Sequence, residues 1–295
     1  INNKKINLEC NFKTGPFIKV DSLINPEIST KEWRLISKIT KIKKDNPFNL
    51  KIINEISENL KKTGYIDEIK PPAYEFLNDF VSIYTYAKPI SKNTINGLIG
   101  IQPKENESIQ FTGNISLSFL NSLKFGEMIK INWRRMFNES QNLIAELNFP
   151  FLFNSNFELI GGFDMIKKDS SFFNLNSKMI LNYIINSYFT SGILLVNNNS
   201  TNLFYDNYNS TSTNSFGFTF EYKNLNNLYN PSQGILLNSN LSYGWKKTFL
   251  NANPSSNVVK SPNFYGNIMF DNYFNLIKRT TLKIRLMGST IQNKI

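Results

Sequence analysis

The clearest pattern in this chain is an alternation of apolar and polar residues between Ser108 and Pro150. Apolar residues or glycine occupy every second position from 111 to 119, from 129 to 133 and from 143 to 149, and only Ile144 breaks the rule. A period of two is the signature of a β-strand with one apolar and one polar face. The stretch therefore predicts antiparallel strands joined by short polar turns.

The same alternation continues to the end of the chain, and it predicts about eleven strands in the second half. They are placed at 97–102, 109–119, 127–135, 141–149, 157–166, 172–183, 187–197, 214–224, 233–246, 262–274 and 279–291. Short turns alternate with longer polar links, which is typical of outer-membrane barrels. Residues 93–295 are therefore predicted to form an all-β antiparallel transmembrane barrel. Its outward side chains, such as Phe216, Phe218 and Phe220, would meet lipid, and its inward ones water or a plug.

Residues 1–92 predict a smaller α+β unit. Ser29 and Glu32 have the spacing of a capping box, so a helix begins after Ser29. Asn49 can cap a second helix, and Gly64 is suited to its end. Strands are predicted at 6–10, 17–24, 73–77 and 80–86.

Composition argues against a helical membrane protein and against a nucleic-acid partner. The 295 residues are 41% hydrophobic and include 25 Phe and 13 Tyr, but they contain no apolar run of the roughly 18 residues that a membrane helix needs. The net charge of +11 would permit contact with anionic lipid or nucleic acid. The lysines are spread along the chain and form no compact basic patch with aromatic residues, so no nucleic-acid partner is expected.

The residue types of common enzyme sites are scarce. The chain has no histidine, which removes Ser-His-Asp and Cys-His pairs as well as histidine metal sites. Cys10 is the single cysteine, so neither an internal disulfide nor a cysteine metal site is expected. There is no phosphate-binding glycine loop. We expect neither an enzyme nor a bound cofactor or metal.

Three motifs in the first part resemble a POTRA domain, the periplasmic module of the BamA/TamA-type outer-membrane assembly family. They are G-P-F-I-K-V-D-S-L-I at 15–24, N-P-F-N at 46–49 and L-K-K-T-G-Y-I at 60–66. In the last motif, Ile66 stands where the family has Phe. The resemblance implies that residues 1–92 are a periplasmic POTRA domain.

The second half is also similar to this family. The motifs are N-x-x-x-G-x-x-G-x-x-P-x-E from Asn93 to Glu105, F-G-E-M-I-K-I-N-W-R-R at 125–135, L-N-F-P-F-L-F at 147–153 and N-P-S-Q-G at 230–234. Family barrels have about sixteen strands and carry an Arg-Gly-Phe loop. We count about eleven strands and no such motif, so the resemblance implies that the last strands and this loop lie beyond Ile295.

The resemblance implies a function in inserting proteins into the outer membrane or translocating them across it. In this family the first and last barrel strands pair poorly, and an incoming strand adds to the edge that is exposed when this seam opens. The candidate lateral-gate strand contains Gly97, Leu98, Ile99, Gly100, Ile101 and Gln102. An ordinary turn and bulge at a domain junction is the alternative.

Two further candidate sites follow. A client-augmentation strand is placed at Phe80, Val81, Ser82, Ile83, Tyr84, Thr85 and Tyr86, with a strand paired inside its own sheet as the alternative. Trp133, Arg134 and Arg135 are either a lumenal contact or an interfacial Trp followed by a solvated basic turn.

The expected partners are outer-membrane lipid, unfolded outer-membrane or secreted clients, and accessory lipoproteins or other membrane partners. The expected location is the bacterial outer membrane, with the N-terminal domain in the periplasm. Two rival functions stay open at this point. One is a passive porin or transporter barrel, and the other is a soluble β-rich binding protein.

Overall fold

A computed structural model describes residues 15, 17–26, 28–103, 109–136, 139–203, 210–227, 230–250, 258–277 and 279–293 of the chain. The strand predicted at 6–10 and Cys10 lie outside these residues.

The first elements form a small α/β unit. In chain order they are β1 (Lys19–Ile24), α1 (Thr30–Thr40), α2 (Leu50–Thr63), β2 (Ile66–Leu77) and β3 (Phe80–Pro89). The strand order in the sheet is β1-β3-β2. β1 runs parallel to β3, and β2 runs antiparallel to it.

Local chemistry sets both helix boundaries, as predicted. Ser29 and Glu32 form the reciprocal capping box at the start of α1. The side chain of Asn49 accepts a hydrogen bond of 3.1 Å from the backbone N–H of Ile52 at the start of α2. Gly64 ends α2 at φ 74°, a left-handed conformation that costs glycine little.

The core of this unit lies between the two helices and one face of the sheet. Its buried residues are Val20, Leu35, Ile36, Ile39, Ile56, Leu60, Tyr65, Ile66, Val81, Ile83 and Ala87. Helical spacing supplies the apolar stripes of α1 and α2, and alternate positions of β3 supply the facing side chains.

The remaining strands form one eleven-stranded antiparallel sheet in which each strand pairs with the next along the chain. They are β4 (Lys92–Pro103), β5 (Ile109–Leu120), β6 (Met128–Arg135), β7 (Gln141–Phe149), β8 (Phe157–Lys168), β9 (Phe172–Ile184), β10 (Phe189–Asn202), β11 (Ser210–Leu225), β12 (Gly234–Phe249), β13 (Val258–Ile277) and β14 (Thr280–Asn293). Among the described residues, β4 and β14 each pair on one side only.

All eleven predicted strands are present. The largest differences lie in β4, β10 and β13, which extend beyond the predicted 97–102, 187–197 and 262–274. Backbone pairing continues past the point where the side chains stop alternating, so the sequence pattern underestimates the length. We call the end of the sheet that contains Lys92 and the 121–127 turn the near end, because the α/β unit contacts it, and the opposite end the far end.

Candidate functional site

The outer face of the eleven-stranded sheet is apolar and uncovered. We define it as the face that carries Phe216, Phe218 and Phe220. These side chains are 48%, 62% and 36% exposed, so no second sheet among the described residues packs on them. Directly opposed residues in an antiparallel pair lie on one face, and the register therefore extends this face across the sheet. One row across β13, β12, β11 and β10 is Phe264, Tyr243, Phe216 and Leu195.

Aromatic residues mark both margins of this face. At the near end the ring centroids of Phe157 and Tyr183 are 5.3 Å apart, and those of Phe189 and Tyr222 are 4.8 Å apart. Trp133 and Trp245 mark the far margin. The run from Ile235 to Trp245 would span roughly 25 Å for a tilt of about 40°, which is the height of the apolar band on outer-membrane barrels. None of the described outer-face side chains between these margins is charged.

The inner face carries the charges of the same strands. They include Lys130, Arg134, Glu146, Glu158, Asp164, Lys178, Glu221, Lys246, Asp271, Lys283 and Arg285. This face lines a cavity of about 810 Å³. Ile144, Ile180 and Leu194 form an apolar patch in the cavity wall, which accounts for the break in alternation at Ile144.

A hydrogen-bonded ladder crosses the inner face. Glu158 on β8 accepts bonds from the side-chain amides of Asn148 (2.9 Å) and Asn182 (3.0 Å). Thr219 on β11 donates to the amide oxygen of Asn182 on β9 at 3.0 Å, across the intervening strand β10. Thr219 can reach Asn182 because Gly192 on β10 has no side chain. A Cβ there would lie 2.3 Å from the Asn182 amide oxygen.

A second polar cluster joins the last two strands. Asp271 on β13 is fully buried and binds Arg285 on β14 through two hydrogen bonds of 2.6 and 2.7 Å. Lys283 Nζ lies 3.1 Å from the same carboxylate and 5.2 Å from the Tyr273 ring. The carboxylate therefore ties β14 to the sheet through side chains as well as through the backbone.

The candidate gate strand is the first strand of the sheet. Residues 97–102 lie within β4, whose outer edge has no partner among the described residues. Leu98 and Ile99 point to opposite faces and are 73% and 74% exposed. Gly97 and Gly100 lack side chains that would pack on β5, which weakens the strand. The geometry offers a free edge, and its use as a gate stays a prediction.

The prediction of a client-augmentation strand at 80–86 does not fit the sheet order. β3 lies at the centre of the three-stranded sheet and is paired with β1 on one side and β2 on the other. A strand whose backbone groups are paired on both sides has no edge for another chain. The side chains of Val81, Ser82, Ile83 and Thr85 are buried, as a central position requires.

The free edge of the small sheet belongs instead to β2. Pro71 and Pro72 interrupt its register with β3, and prolines in sheets are confined to edges and bulges. Past them, Ala73–Leu77 pairs regularly with β3. Tyr74 and Phe76 lie beside Phe48, with ring centroids between 5.3 and 5.7 Å apart. The edge of β1 is partly covered, because Val20 exchanges backbone hydrogen bonds with residues 45 and 46.

The three residues predicted as a lumenal or interfacial site do not all lie on one face of the sheet. Trp133 is on the outer face, Arg134 on the inner face and Arg135 on the outer face, because successive strand residues alternate. The position of Trp133 at the far margin matches the interfacial alternative.

A buried carboxylate organises the 121–127 turn, although no sequence motif predicts its role. Glu127 is fully buried, and it accepts bonds from the backbone N–H groups of Leu123 (2.6 Å) and Phe125 (3.1 Å). Asn121 is also fully buried, and it accepts a bond of 3.0 Å from the backbone N–H of Gly126.

This turn fixes the α/β unit to the sheet. The Asn121 amide donates to the carbonyl of Ile90, and the Ser91 hydroxyl donates to the carbonyl of Asn121, so both linker residues are held. Gly126 lies at φ 78° against the Tyr65 ring, where a Cβ would be 2.7 Å from the phenol oxygen. Only glycine fits both the backbone angle and the space.

A second turn adds to this contact. Phe151, at φ 53°, packs against the core of the α/β unit. Lys62 Nζ on α2 lies 5.8 Å from the centroid of the Tyr188 ring in the 185–188 turn. A cavity of about 390 Å³ lies between the two units at the near end.

None of the helices in the described part of the chain is long and apolar enough to cross a membrane. The described residues also contain no group of three or more Cys, Asp and Glu side chains suited to a metal ion.

No known protein family profile matches the chain, and no curated protein does. Solved structures do match it. BamA from Haemophilus ducreyi, in a form lacking POTRA domains 1–3, has a TM-score of 0.52 and 16% identity, and the match covers 95% of this chain and 56% of that one. CdiB from Acinetobacter baumannii has a TM-score of 0.53 and 14% identity, with 95% and 53% covered.

This chain thus spans about half the length of each of these two structures. At such identities the likeness concerns the fold. The chain therefore has the fold that BamA and CdiB share, as the resemblance to the BamA/TamA type predicted.

Proposed function

We propose that this chain acts in the bacterial outer membrane as an assembly or translocation factor of the BamA/TamA type. The observation that carries the proposal is the division of the eleven-stranded sheet. Its outer face is exposed, apolar and free of described charges between two aromatic margins, whereas its inner face holds the charges of the same strands and lines a cavity of about 810 Å³. Hydrocarbon on one side and water on the other is the environment that this arrangement suits.

The work in such a factor is strand addition. An exposed edge offers backbone N–H and C=O groups to any incoming strand, whatever its sequence. In lipid these groups are costly when unpaired, so an arriving strand is bound strongly. β4 supplies this edge, with Gly97 and Gly100 lowering the strength of its pairing to β5.

The α/β unit serves as a periplasmic POTRA domain that delivers clients. Its contacts through Asn121, Glu127 and Phe151 hold it below the near end of the sheet. Client capture by augmentation would use the free edge of β2 at 73–77 in place of the central strand β3. The near end accordingly faces the periplasm and the far end faces the cell exterior.

Site-specific photocrosslinking tests the edge. A photoreactive residue in place of Ile99 on β4 should crosslink to an unfolded outer-membrane client during its insertion. The same residue in place of Ile193 is the matched control, because that side chain lies on the outer face of β10, which is paired on both sides. Equal crosslinking at both positions, or none at Ile99, would contradict strand addition at β4.

A passive porin is the second candidate. The charged cavity wall, with Glu146, Lys178 and Lys246, is the observation that favours it. Purified protein that conducts ions in planar bilayers but does not accelerate client insertion would support a porin. A soluble β-rich protein would instead remain monomeric without detergent, and the exposed outer face leads us to expect aggregation.

A further inference from the structure

The outer face changes character in three successive rows near the far end of β10 to β13. The row of Phe264, Tyr243, Phe216 and Leu195 is apolar. The next is Pro262, Trp245, Asn214 and Asn197, and the last is Lys260, Lys247, Ser212 and Asn199. The face therefore passes from hydrocarbon-like to amide-rich to cationic within four residues along each strand.

Lys247 and Lys260 stand directly opposite each other in this last row, and both are exposed. Like charges in this position repel and destabilise a strand pair. The other members of the row, Ser212 and Asn199, are uncharged, and no described acidic side chain forms an ion pair with either lysine. The arrangement retains an uncompensated pair of cations next to an apolar band in which no described side chain is charged.

Trp245 fixes the depth of this pair. Lys260 Nζ lies 4.6 Å from the centroid of its indole ring, and Trp245 itself is 44% exposed at the end of the apolar band. Tryptophan concentrates at the boundary between hydrocarbon and headgroups. The two ammonium groups consequently lie at the level of the headgroups and not in the hydrocarbon.

The cations of the outer face are confined to this end. From β5 to β13, the described outward-facing cations are Arg135, Lys167, Lys247 and Lys260, and all of them lie beyond the far aromatic margin. The described strands carry none at the near margin, where Lys124 and Arg279 lie in turns. The asymmetry points to a leaflet that presents negative charge on the far side only.

We propose that Lys247, Lys260 and the Ser212 hydroxyl bind a phosphate-bearing headgroup of the lipid leaflet at the far end. Two ammonium groups and a hydroxyl supply the charge and donors that a phosphate monoester accepts. An anion between the lysines would turn their repulsion into a bridge between β12 and β13. This inference rests on the membrane placement in the proposed function, and it adds a ligand class and a site.

The test compares lipid retention by purified protein in detergent. Native mass spectrometry would count bound diphosphorylated lipid A for the unchanged protein, for K247Q/K260Q and for K246Q. Lys246 is the matched control, because it is adjacent in sequence but faces the cavity. Each cation near a membrane surface contributes about fivefold to anionic lipid binding, so the double variant should lose roughly 25-fold while K246Q stays unchanged.

Three outcomes decide the matter. Equal retention by K247Q/K260Q and the unchanged protein overturns the site. Equal retention of lipid A stripped of both phosphates also overturns it. Displacement of lipid A by millimolar inorganic phosphate alone would mean that free phosphate is the ligand, which overturns the headgroup assignment. If the protein does not partition into liposomes at all, the proposed function fails instead, so the two failures are distinguishable.

Discussion

Thr219 hydrogen-bonds to Asn182 over the top of an intervening strand, at 3.0 Å, because Gly192 between them has no side chain. The bond links β9 to β11 without involving the backbone of β10. It continues the ladder that Glu158 makes with Asn148 and Asn182. The Glu158 carboxylate is thereby held by the neutral amides of Asn148 and Asn182. These side-chain bonds link β7, β8, β9 and β11 along the inner face.

Substitution of Gly192 by alanine should destabilise the sheet. The added Cβ would lie 2.3 Å from the Asn182 amide oxygen and 2.4 Å from the backbone oxygen of Leu181, so side chain and backbone must both move. Overpacking of this kind costs about 1–3 kcal/mol. A lower urea midpoint of unfolding in detergent would report it.

Gly288 provides the control for this experiment. A Cβ there would meet no atom within 4 Å, and the residue lies on the outer face of β14. G288A should unfold at the same urea concentration as the unchanged protein. If G192A did likewise, the close approach over Gly192 would not be a constraint on the sheet.

Replacement of Glu127 by glutamine should loosen the α/β unit from the sheet. Both carboxylate oxygens accept backbone N–H groups, whereas a glutamine amide nitrogen would face one of those donors. A buried donor left without an acceptor costs about 1–3 kcal/mol. Limited proteolysis should then cut faster at the Ile90-Ser91 linker.

Glu55 is the matched control, because it is half exposed on α2 and pairs only with Lys51 at 3.8 Å. Exposed pairs of this type contribute little, so E55Q should be cut at the unchanged rate. Similar protection of the linker in E127Q and in the unchanged protein would show that the turn does not hold the junction.

The alternation of side chains predicted the strands of the large sheet well, because each strand has one apolar and one polar face. This alternation is visible within each strand alone, so the strands can be predicted without knowing which distant residues they contact. The bounds of β7 at 141–149 match the prediction. The caps at Ser29 and Asn49 are equally local, since each hydrogen bond closes within three residues.

Features that depend on distant residues were not predictable in this way. β3 is central because the strands lie side by side in the order β1-β3-β2. The order of the strands along the chain does not reveal this arrangement. Pro71 and Pro72 were a usable signal, because prolines mark β2 as an edge strand and so leave β3 inside. The role of Glu127 had no such signal, because its burial arises when the turn meets Tyr65 of the α/β unit.

Substitution of Asp271 by asparagine should weaken the attachment of β14. The carboxylate is buried and binds both Arg285 and Lys283, so its neutralisation leaves two cations without an anion. Removal of one partner from a buried pair costs about 3–5 kcal/mol, and less here because the cations are partly exposed. A reduced urea midpoint, with faster hydrogen exchange along 280–293, is the expected result.

A double-mutant cycle separates the pair from its surroundings. R285M together with D271N should cost less than the sum of the single changes, because R285M removes a cation that D271N leaves unpaired. Strict additivity would mean that the two side chains do not interact in the folded protein.

Acid should weaken the 169–171 turn at the far end, which lies between β8 and β9. The Ser171 hydroxyl and backbone N–H both donate to Asp169, at 2.5 and 2.7 Å, and the hydroxyl is the main reason that the pKa of Asp169 is lowered from 3.8. A carboxylate whose pKa is lower in the folded state stabilises it above the unfolded pKa. That contribution is lost as the pH falls through the folded pKa.

The substitution Ser171→Ala tests this cause directly. It removes the hydroxyl donor and leaves the backbone donor, so the pKa of Asp169 should rise towards 3.8 in an NMR titration of its carboxyl carbon. Ser170→Ala is the control, because the Ser170 hydroxyl is not among the groups that lower this pKa and its backbone N–H is retained. The difference in unfolding midpoint between the S171A variant and the unchanged protein should vanish once Asp169 is protonated in both. If the pKa of Asp169 were unchanged in S171A, its lowering would be due to the backbone N–H groups of Ser170 and Ser171 and to the charge of Lys168 instead.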